Sequence, residues 1–593
     1  MTGIFDELYT QSKNGKVFKK LMNLIISENN IKLAFRMIKT NTGSNTAGVD
    51  GITIKEIKEK ELQVYIQTVR EKLCNFQPAH VRRVLIPKAN GDMRPLGIPT
   101  MIDRLIQQCI KQILEPICEA KFFNHSYEFR PNRSTKHVIS RMISLVNMGK
   151  FYYTVDVDIK GFFDNVNHNK LIKQIYSLGI QDRKLLSIIK VMLKAPIKGE
   201  GIPTKGTPQG GILSLLLANI VLNEFDWWVA SQWEHFKSHR EYASVDSQRN
   251  QLRKTKLKQI YLVRYADDFK IMCKDYYTAK RTLHAVKDWL KTRLKLEISK
   301  EKSKIINLKK NYSDFLGISI KAIEKGKTFG GYVAQSHIRP KAQERIKQTL
   351  RGQIKLISKE SNSNHVTRLN SMILGWHEYY SCATRANLDL VKIAFSVRKL
   401  MNQKFRNIGS FRIPTDAEKS PIYLKFHGAS KRKTWIINKV PIHPMGYVKH
   451  KPVMNFSQEV CDYTIEGRAK ATKALESKTS WMIIELAKRY NPNETVEYND
   501  NRISRSSMCT MQCEITGLYL DFDTMHCHHV IPRELGETDE YDNLRIVHEH
   551  VHKLIHATTP ETINKYISLI TNKKSLKKLN TLRSYCNLEK IVI

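Results

Sequence analysis

Two adjacent acidic residues, Asp267 and Asp268, lie in the middle of the segment QIYLVRYADDFKIMCK. The runs on either side, YLVRY and FKIMC, are short, apolar and β-rich, so the segment predicts a β-hairpin with the two acids at or near its tip. Side-by-side carboxylates repel each other unless a positive charge lies between them. Mg²⁺ prefers hard oxygen ligands, and phosphoryl transfer uses a pair of such ions. The spacing therefore predicts a metal site, which needs a third carboxylate from elsewhere in the chain.

A candidate for the third carboxylate lies upstream, in the segment FYYTVDVDIKGFFDNVNH. FYYTVDVD predicts a buried strand on which Asp156 and Asp158 alternate onto the same face. Either residue could serve as the ligand, although Asp158 comes at the end of the strand, where a ligand is exposed. We expect the helix that follows to be capped by Asp164 or Asn165.

A second set of potential ligands lies near the end of the sequence, in MHCHHVIPRELGETDEYDNLRIVHEHVHKLIH. His552 and His556 are four residues apart, so on a helix they share one face and can chelate a metal ion. His548 and His552 have the same spacing, which leaves a shifted ligand set open. The strand-like HCHHVIP and the loop GETDEYDN fit a ββα-metal fold.

The composition points to a nucleic-acid partner. The 593 residues include 98 Lys and Arg against 56 Asp and Glu, a net charge of +42 spread along the whole length. At this length several domains are expected, and 41% hydrophobic residues suffice for packed cores. So large a positive charge is costly unless a polyanion neutralises it.

The expected compartment follows from the cysteines and the N-terminal residues. Ten cysteines without framework spacing indicate reduced thiols in an intracellular protein. The sequence shows neither an apolar signal core nor a run of membrane-spanning length, so no membrane partner is expected. Because no Arg-rich presequence is visible, the bacterial cytoplasm is favoured, with an organelle left open.

The middle of the chain contains three basic stretches. Residues 237–258 predict a polar helical or loop insertion on the surface, and residues 340–400 predict helices whose outer Lys and Arg can hold an RNA duplex by its phosphates. Residues 410–500 are irregular. They contain the run Lys431, Arg432 and Lys433, which suits DNA binding through backbone charge.

These motifs together resemble a reverse transcriptase, and most closely the multifunctional proteins encoded within group II introns. The motifs that occur in the family's order are AGVDG (47–51), IPKANGDMRPLGIPT (86–100), YEFRPNRS (127–134), GTPQGGILS (206–214), YADD (265–268), KLEISKEKSKI (295–305) and FLGISI (315–320). LNSMILGWHEYY resembles the family's maturase, or thumb, segment, and the histidine-rich tail resembles an HNH endonuclease. Any one motif is weak, but their order over nearly the whole chain is specific.

The resemblance implies a multidomain α+β protein. A right-hand polymerase, with fingers and a palm carrying the YADD hairpin, is expected over residues 1–335. An α-helical thumb or maturase domain would cover residues 336–405, and a basic DNA-binding region residues 406–500. A C-terminal ββα-metal HNH domain would cover residues 501–593.

For the polymerase site, the resemblance implies that Asp158, Asp267 and Asp268 hold two Mg²⁺ ions. Phe163 stands five residues after Asp158, where the family has an aromatic gate against the ribose 2′-OH. One departure concerns the helix after GTPQGGILS, because Leu215 stands where the family usually has proline. Proline in a first turn presets φ, so a modest loss of local stability is expected.

Further residues are expected around the incoming deoxynucleotide. The Asn90-Gly91 turn places Lys88 and Arg94 on either side of one hairpin, within reach of a triphosphate. Gln209 would border the nucleotide pocket, in a glycine-rich loop whose backbone can approach the substrate closely. Lys302 corresponds to a lysine that other polymerases have near the leaving pyrophosphate.

For the nuclease site, the resemblance implies that His529 is the general base that activates water, since histidine titrates near neutral pH. His528, His552 and His556 would hold one divalent ion of unknown identity, and Asn543 would orient His529. Many relatives carry two cysteine pairs around this motif, but this chain has only Cys509-x₃-Cys513, with Cys527 as a stray neighbour. A structural zinc is therefore not expected.

The resemblance thus implies a protein that binds its own intron RNA and assists splicing, nicks a target DNA and reverse transcribes the RNA from the resulting 3′-OH. Its partners would be that RNA, the DNA and deoxynucleoside triphosphates, and a homodimer is compatible with the sequence. Two alternatives remain. One is a free-standing reverse transcriptase without an intron, and the other is a splicing factor that only binds RNA.

Overall fold

The computed structural model shows helices joined to small antiparallel sheets. It describes residues 1–39, 41–57, 62–87, 93–208, 210–326, 331–428, 430–452, 454–473, 485–486, 489, 491, 493–509, 511–518, 520–533, 538–570 and 572–591. The strands are β1 (Arg82–Pro87), β2 (Met93–Ile98), β3 (Tyr153–Asp158), β4 (Ile260–Tyr265), β5 (Asp268–Cys273), β6 (Lys304–Asn307), β7 (Ser313–Phe315), β8 (Ile318–Glu324), β9 (Tyr332–Ile338), β10 (Gly409–Arg412), β11 (Thr434–Ile437), β12 (Val440–Pro441), β13 (Met525–His529) and β14 (Leu544–His548).

The helices alternate with these strands. They are α1 (Thr2–Lys13), α2 (Met22–Ile25), α3 (Glu28–Lys39), α4 (Leu62–Cys74), α5 (Met101–Glu119), α6 (Thr135–Asn147), α7 (Phe162–Asn165), α8 (His168–Ser177), α9 (Arg183–Leu193), α10 (Ser214–Ser231), α11 (Val245–Leu252), α12 (Tyr276–Trp289), α13 (Pro340–Lys359), α14 (Ser363–Tyr380), α15 (Ala386–Phe405), α16 (Pro421–His427), α17 (Ile465–Lys473), α18 (Val496–Met508), α19 (Glu549–His556), α20 (Pro560–Tyr566) and α21 (Lys573–Tyr585). Within the described part of the chain, no helix is both long and apolar enough to span a membrane.

The chain divides into two units. The first comprises residues 1–31, 46–52 and 71–463, and the second comprises residues 32–45, 53–70 and 464–593. The α+β class expected from the sequence is confirmed.

The central sheet of the first unit has the strand order β4-β5-β3-β6 and is antiparallel throughout. One face of β3 and β5 is apolar, and its Val155, Val157, Phe269 and Ile271 are almost fully buried. The register pairs Asp158 at the end of β3 with Asp268 at the start of β5. Two acidic residues far apart in the sequence therefore meet where β3 ends and β5 begins.

The helices α13, α14 and α15 form a layer C-terminal to β9. Pro340 begins α13, where its missing N–H costs no hydrogen bond, and the Asn362 side chain caps α14 by accepting from the Asn364 N–H. Their inner faces bury Ile354, Leu369 and Leu390. The expected helical region over 340–400 is confirmed.

A ββα arrangement forms in the second unit. β13 and β14 pair antiparallel, with His529 opposite Leu544, and α19 begins directly after β14. The core under this motif includes Leu544, Ile546 and Val551, each without measurable exposure. The ββα arrangement predicted for the histidine-rich segment is confirmed.

The expected helix cap at Asp164 or Asn165 is wrong. Gly161, with a left-handed φ of +52°, begins the short helix α7 three residues earlier, so both residues lie inside it. The next helix, α8, is capped instead by Asn167, whose side chain accepts from the Lys170 N–H. A glycine in a conformation that other residues avoid thus shifted the helix start.

Candidate active sites

The acidic turn of the first site joins β4 to β5. Ala266 has a positive φ of +53°, a backbone conformation that residues other than glycine rarely adopt. Asp267 follows in the turn, and Asp268 is the first residue of β5. Since Asp268 pairs with both Tyr265 and Asp158, the register brings Asp158, Asp267 and Asp268 to one place. The hairpin expected from YADD is confirmed.

Arg264 holds this turn from beneath, and sequence reasoning did not identify it. Its guanidinium, 1% exposed, donates two hydrogen bonds to Asp226, at 2.7 and 2.6 Å. It also donates to the Ala266 carbonyl at 2.8 Å and to Asn219 and Ser126. A planar, fully bonded guanidinium with a buried carboxylate partner is a rigid support, and it fixes the strained residue directly before Asp267.

The structure distinguishes Asp156 from Asp158, which the sequence left open. Asp156 is buried, and the Lys270 ammonium lies 2.5 Å from its Oδ2. Ser313 and Thr154 donate hydrogen bonds to the same carboxylate, at 2.9 and 2.8 Å. Asp156 is therefore already neutralised. Asp158, with its side chain 40% exposed, remains available for a ligand.

The charge state of the turn fits a cation site. Loss of solvent, and then the carboxylates of Asp156, Asp267 and Asp158, raise the pKa of Asp268 to about 6 against the pull of Lys270. Loss of solvent and the Asp158 carboxylate also raise the pKa of Asp267. The residues present thus fit divalent ions, which would relieve this repulsion.

Cationic residues surround the carboxylates. Lys302 Nζ lies 3.5 Å from Asp158 Oδ2 on an exposed turn. Arg94, exposed on β2, is close enough to Asp267 for its charge to lower the pKa of that carboxyl, against the larger opposing effect of burial. Of the other expected substrate contacts, Lys88 and Gln209 lie outside the described residues.

The expected gate residue is half-buried. Phe163 lies on α7, three residues after Lys160. Its ring packs edge-on against that of the buried Phe162, with ring centroids 5.3 Å apart. Its carbonyl accepts from the Thr207 N–H at 2.7 Å, so the glycine-rich loop is tied to the same short helix. Phe162 takes the core position, which leaves Phe163 as the aromatic with a solvent-facing surface.

The glycines of the loop after Lys205 approach the protein's own backbone. A Cβ at Gly206 (φ +93°) would lie 3.0 Å from the Asp164 carbonyl oxygen, and one at Gly210 (φ +113°) 2.6 Å from the Gly97 carbonyl oxygen. Both positions therefore require glycine for packing as well as for φ. The expectation that this loop approaches a substrate stays a prediction. Leu215 lies in the first turn of the helix that follows, α10.

The second site is a histidine cluster on the ββα motif. One nitrogen from each of His528, His552 and His556 lies within 4.8 Å of the others, a spacing that could hold a metal ion. His528 comes from β13, and the other two come from successive turns of α19. Within the described structure, the buried His528 Nε2 has no hydrogen-bond partner. A buried orphan nitrogen facing two further imidazoles fits a metal ion.

The electrostatics of the cluster also suit a metal. Burial, and after it the neighbouring imidazoles, lower the pKa of His528 to about 3. Burial, and after it the imidazoles of His526 and His556, lower the pKa of His552 to about 3 as well. Burial also lowers the pKa of His556. Neutral imidazoles are the form that coordinates metal ions, so no proton has to be displaced near neutral pH.

The shifted ligand set is not adopted. His548 caps α19, its Nδ1 accepting from the His550 N–H at 3.1 Å, and its ring packs against that of His550 at 4.9 Å. Sequence reasoning missed His526, two residues before His528 on β13. Its ring centroid lies 3.7 Å from that of His552, at the border of the cluster.

His529 points to a different partner than expected. Its Nε2 lies 2.8 Å from Asp539 Oδ1, and its ring stacks on Tyr498 with centroids 5.5 Å apart and planes 17° apart. Hydrogen bonds from His529, Thr495 and Arg533 hold the pKa of the Asp539 carboxyl well below its usual range, against the loss of solvent, which would raise it. With Nε2 directed at this carboxylate, Nδ1 is the ring nitrogen of His529 left for other contacts.

Asn543 does not bond to His529 directly, contrary to the expected arrangement. Its side chain accepts from the Ile531 N–H at 2.9 Å and donates to the carbonyls of Ile531 and Thr538, each at 3.0 Å. The Asn543 side chain thereby links Ile531 to Thr538, the residue before Asp539. Asn543 therefore fixes the backbone next to Asp539, whose carboxylate is the partner of His529.

The basic run Lys431, Arg432 and Lys433 is exposed directly before β11. The Arg432 guanidinium lies over the Tyr447 ring at 5.6 Å, which fixes one of the three cations. Trp435, the nearby aromatic, is 8% exposed and is part of the core. The DNA-binding role of the run stays a prediction.

Comparisons with known proteins agree with both sites. The family described as "Reverse transcriptase (RNA-dependent DNA polymerase)" matches residues 86–320, and the family described as "HNH endonuclease" matches residues 507–558. Protein YkfC of Escherichia coli (strain K12) is 32% identical over 318 residues, which cover 50% of this chain and 82% of YkfC.

Two further relatives carry informative names. "Group II intron-encoded protein LtrA" of Lactococcus lactis subsp. cremoris is 32% identical over 362 residues, covering 54% of this chain and 59% of LtrA. An "Uncharacterized 91 kDa protein in cob intron" of Schizosaccharomyces pombe is 29% identical, covering 53% and 43% of the two chains. The chain thus spans less than two thirds of the length of these two relatives.

Proposed function

The chain belongs to the group II intron-encoded proteins that combine a reverse transcriptase and maturase with a C-terminal HNH endonuclease domain, and from this premise we propose its activities. The protein binds its own intron RNA and assists splicing, nicks a target DNA, and copies the RNA from the DNA 3′-OH. The observation that carries the proposal is the presence of two separate candidate metal sites in one strongly basic chain. One is the carboxylate set of the central sheet, and the other is the histidine cluster of the ββα motif.

In DNA synthesis, Asp158, Asp267 and Asp268 would hold two Mg²⁺ ions, which when bound supply Lewis-acid chemistry to the primer hydroxyl and the nucleotide phosphates. Arg264 keeps the turn rigid, so that the carboxylates are preorganised for this task. Asp156 stays out of the reaction, because Lys270 already neutralises it.

The substrate contacts are assigned by position. Lys302 and Arg94 would offset the charge of the triphosphate, together with Lys88, and Gln209 would border the base. Phe163, with one face left open beside the buried Phe162, would exclude a ribose 2′-OH and so select deoxynucleotides.

In DNA nicking, His529 would take a proton from water through Nδ1, since its Nε2 is held by Asp539. Tyr498 fixes the plane of the same ring by stacking. His528, His552 and His556 would hold a divalent ion, which when bound stabilises the leaving oxygen. Asn543 contributes by holding the backbone at Ile531 and Thr538.

RNA and DNA binding would rest on the basic surface rather than on either metal site. The net charge of +42 supplies many phosphate contacts. We assign RNA binding to the fingers and thumb (1–335 and 336–405), contacts to DNA to the region 406–500, and nicking to 501–593. Splicing assistance is then a binding function, and the metal ions of that reaction belong to the RNA.

A splicing assay tests the proposal. The RNA that flanks this reading frame is transcribed and incubated at low Mg²⁺ with wild-type protein or with Asp267→Ala/Asp268→Ala. We expect both proteins to promote splicing, and only the wild type to make cDNA from a primed template. No splicing with either protein, while the wild type still makes cDNA, would identify a free-standing reverse transcriptase. Splicing without any cDNA from the wild type would identify a splicing factor that only binds RNA.

A further inference from the structure

An open well lies in the first unit where the thumb helices meet the segment after β10. Its volume is about 370 Å³, enough for a nucleobase and part of its sugar, and most of its lining is apolar. Helices α14 and α15 supply one wall, and β11 with the residues that follow it supplies the other. Arg432 and Lys433 of the basic run line it, but no function assigned above uses its apolar interior.

The floor of the well is a built structure. Trp435 is 8% exposed and packs edge-on against Phe405, with ring centroids 5.8 Å apart. The segment behind it is clamped to α15 at Gly446, where a Cβ would lie 2.4 Å from Val391 Cγ2. Glycine thus lets the backbone of this wall approach α15 closely.

Two aromatic side chains stand at the rim. Phe395 on α15 is 75% exposed and Phe411 on β10 is 48% exposed, and both line the well. Phe411 also leans on Trp435, with ring centroids 5.5 Å apart and an angle of 48° between the planes. Large aromatic rings held open to water beside an apolar floor mark a site for a flat apolar partner.

The charge around the well selects the partner. Arg398, Arg432 and Lys433 are exposed and line it, and none of the described residues that line it is acidic. An apolar peptide segment would gain nothing from three cations, whereas a nucleotide offers a flat base to the aromatic rings and a phosphate to the cations. Stacking of an unpaired base on an aromatic side chain contributes about 1–3 kcal/mol.

We propose that this well takes an unpaired base from a loop or bulge of RNA, stacked on Phe395 and Phe411, with the flanking phosphates on Arg398, Arg432 and Lys433. The inference rests on the proposed RNA-binding function and deepens it. Charge alone holds any RNA duplex, but a base pocket lets the protein distinguish a particular RNA by a base that is splayed out of its helix. RNA is chosen over DNA, although the other wall belongs to the region assigned to DNA contacts, because folded RNA presents unpaired bases in loops and bulges, whereas a DNA duplex keeps its bases stacked.

The test compares the affinity of the full chain for two RNA hairpins that differ only in one bulged nucleotide, replaced by 2-aminopurine for a fluorescence readout. The proteins are the wild type, Phe395→Ala, Phe395→Trp and, as a matched exposed aromatic elsewhere in the first unit, Tyr277→Ala. We expect the wild type to bind the bulged RNA about 5- to 100-fold more tightly than the fully paired one. Phe395→Ala should remove most of that preference, while Phe395→Trp and Tyr277→Ala keep it.

Each other outcome overturns the inference in a recognisable way. No preference in the wild type, or a preference that Phe395→Ala leaves intact, excludes a base pocket here, while unimpaired duplex binding leaves the proposed function standing. A Phe395-dependent preference for bulged DNA but not for RNA would assign the well to DNA. A change of oligomeric state in Phe395→Ala on gel filtration would assign it to a protein contact. Loss of all RNA binding by the wild type would instead contradict the proposed function.

Discussion

The Lys270 ammonium lies 2.5 Å from Asp156 Oδ2, and this buried ion pair separates the tasks of two aspartates that stand two residues apart on β3. Asp156 faces inward and is neutralised by the protein. Asp158 ends the strand opposite Asp268 and is left for ligands. Alternation along β3 places both aspartates on one face. Only the neighbouring strand β5, which carries Lys270, determines which of them is neutralised within the protein.

Substitution of these two residues should have opposite effects. Asp156→Ala leaves the Lys270 charge buried without its partner, which should cost about 3–5 kcal/mol of unfolding free energy. Asp158→Ala removes a half-exposed carboxylate, so its unfolding free energy should stay within about 1 kcal/mol of the wild type, while primer extension is lost. Chemical denaturation and primer extension on both variants check this. A stable, active Asp158→Ala protein would exclude it from the metal site.

The histidine cluster should bind one metal ion independently of the carboxylate site. In an Asp267→Ala/Asp268→Ala background, which silences the polymerase site, Mn²⁺ titration followed by electron paramagnetic resonance should report one remaining site. Adding His552→Ala should abolish that site. His548→Asn, which keeps a side chain able to cap α19, should leave it intact. Loss of the site in His548→Asn but not in His552→Ala would favour the shifted ligand set.

Asp539 should act as a positioning residue for His529. Asp539→Asn keeps the size of the side chain but removes the charge that holds the Nε2 proton, so the rate of nicking should fall by about 100-fold. Metal binding and DNA affinity should not change, because neither uses Asp539 directly. The exposed Asp523→Asn serves as the matched control. Equal nicking rates for Asp539→Asn and the control would show that His529 needs no orientation from this carboxylate.

A second group of buried histidines, outside both active sites, should make stability depend on pH. Burial lowers the pKa of His427 and of His443 to about 4. Neither ring nitrogen of His427 has a hydrogen-bond partner in the described structure. As the pH falls, the imidazoles are protonated in the unfolded chain first, where their pKa is near 6.5. The unfolding free energy therefore has its full value above pH 6.5. It should fall by about 1 kcal/mol per pH unit for each histidine as the pH drops from 6.5 to 4.

Unfolding midpoints measured at pH 7, 6 and 5 check this dependence. His427→Gln should show a shallower loss than the wild type, whereas substitution of the exposed His239 by glutamine should not change the slope. A wild-type midpoint that stays constant between pH 7 and 5 would mean that these imidazoles are already protonated or hydrated in the native protein.

Local patterns predicted the hairpin and the helix that carry the candidate residues of the two sites. The YADD hairpin is specified by two short β-rich runs on either side of its turn, and the spacing of His552 and His556 needs only a helix. The supports could not be predicted in the same way. Arg264 depends on Asp226, 38 residues earlier, and the choice between Asp156 and Asp158 depends on Lys270, over 100 residues later. Such partners become visible only when the fold brings the segments together.

Two errors had local physical causes. The expected cap at Asp164 or Asn165 is wrong because α7 already begins after Gly161, whose left-handed φ the letters around it do not reveal. Asn543 was expected to hold His529, but an amide with two donors and one acceptor is satisfied by the backbone of its own loop. The carboxylate that takes the expected place, Asp539, stands four residues earlier in the same loop.

The central claim is that one chain has two separable active sites, with polymerisation at Asp158, Asp267 and Asp268. A single DNA–RNA substrate that reports nicking and primer extension on the same gel tests it most directly, with the wild type, Asp267→Asn and His529→Ala in parallel. We expect the wild type to perform both reactions. Asp267→Asn should nick but not extend, and His529→Ala should extend a supplied primer but not nick. Extension at the wild-type rate by Asp267→Asn would contradict the assignment of the polymerase site and, with it, the account of the chain given above.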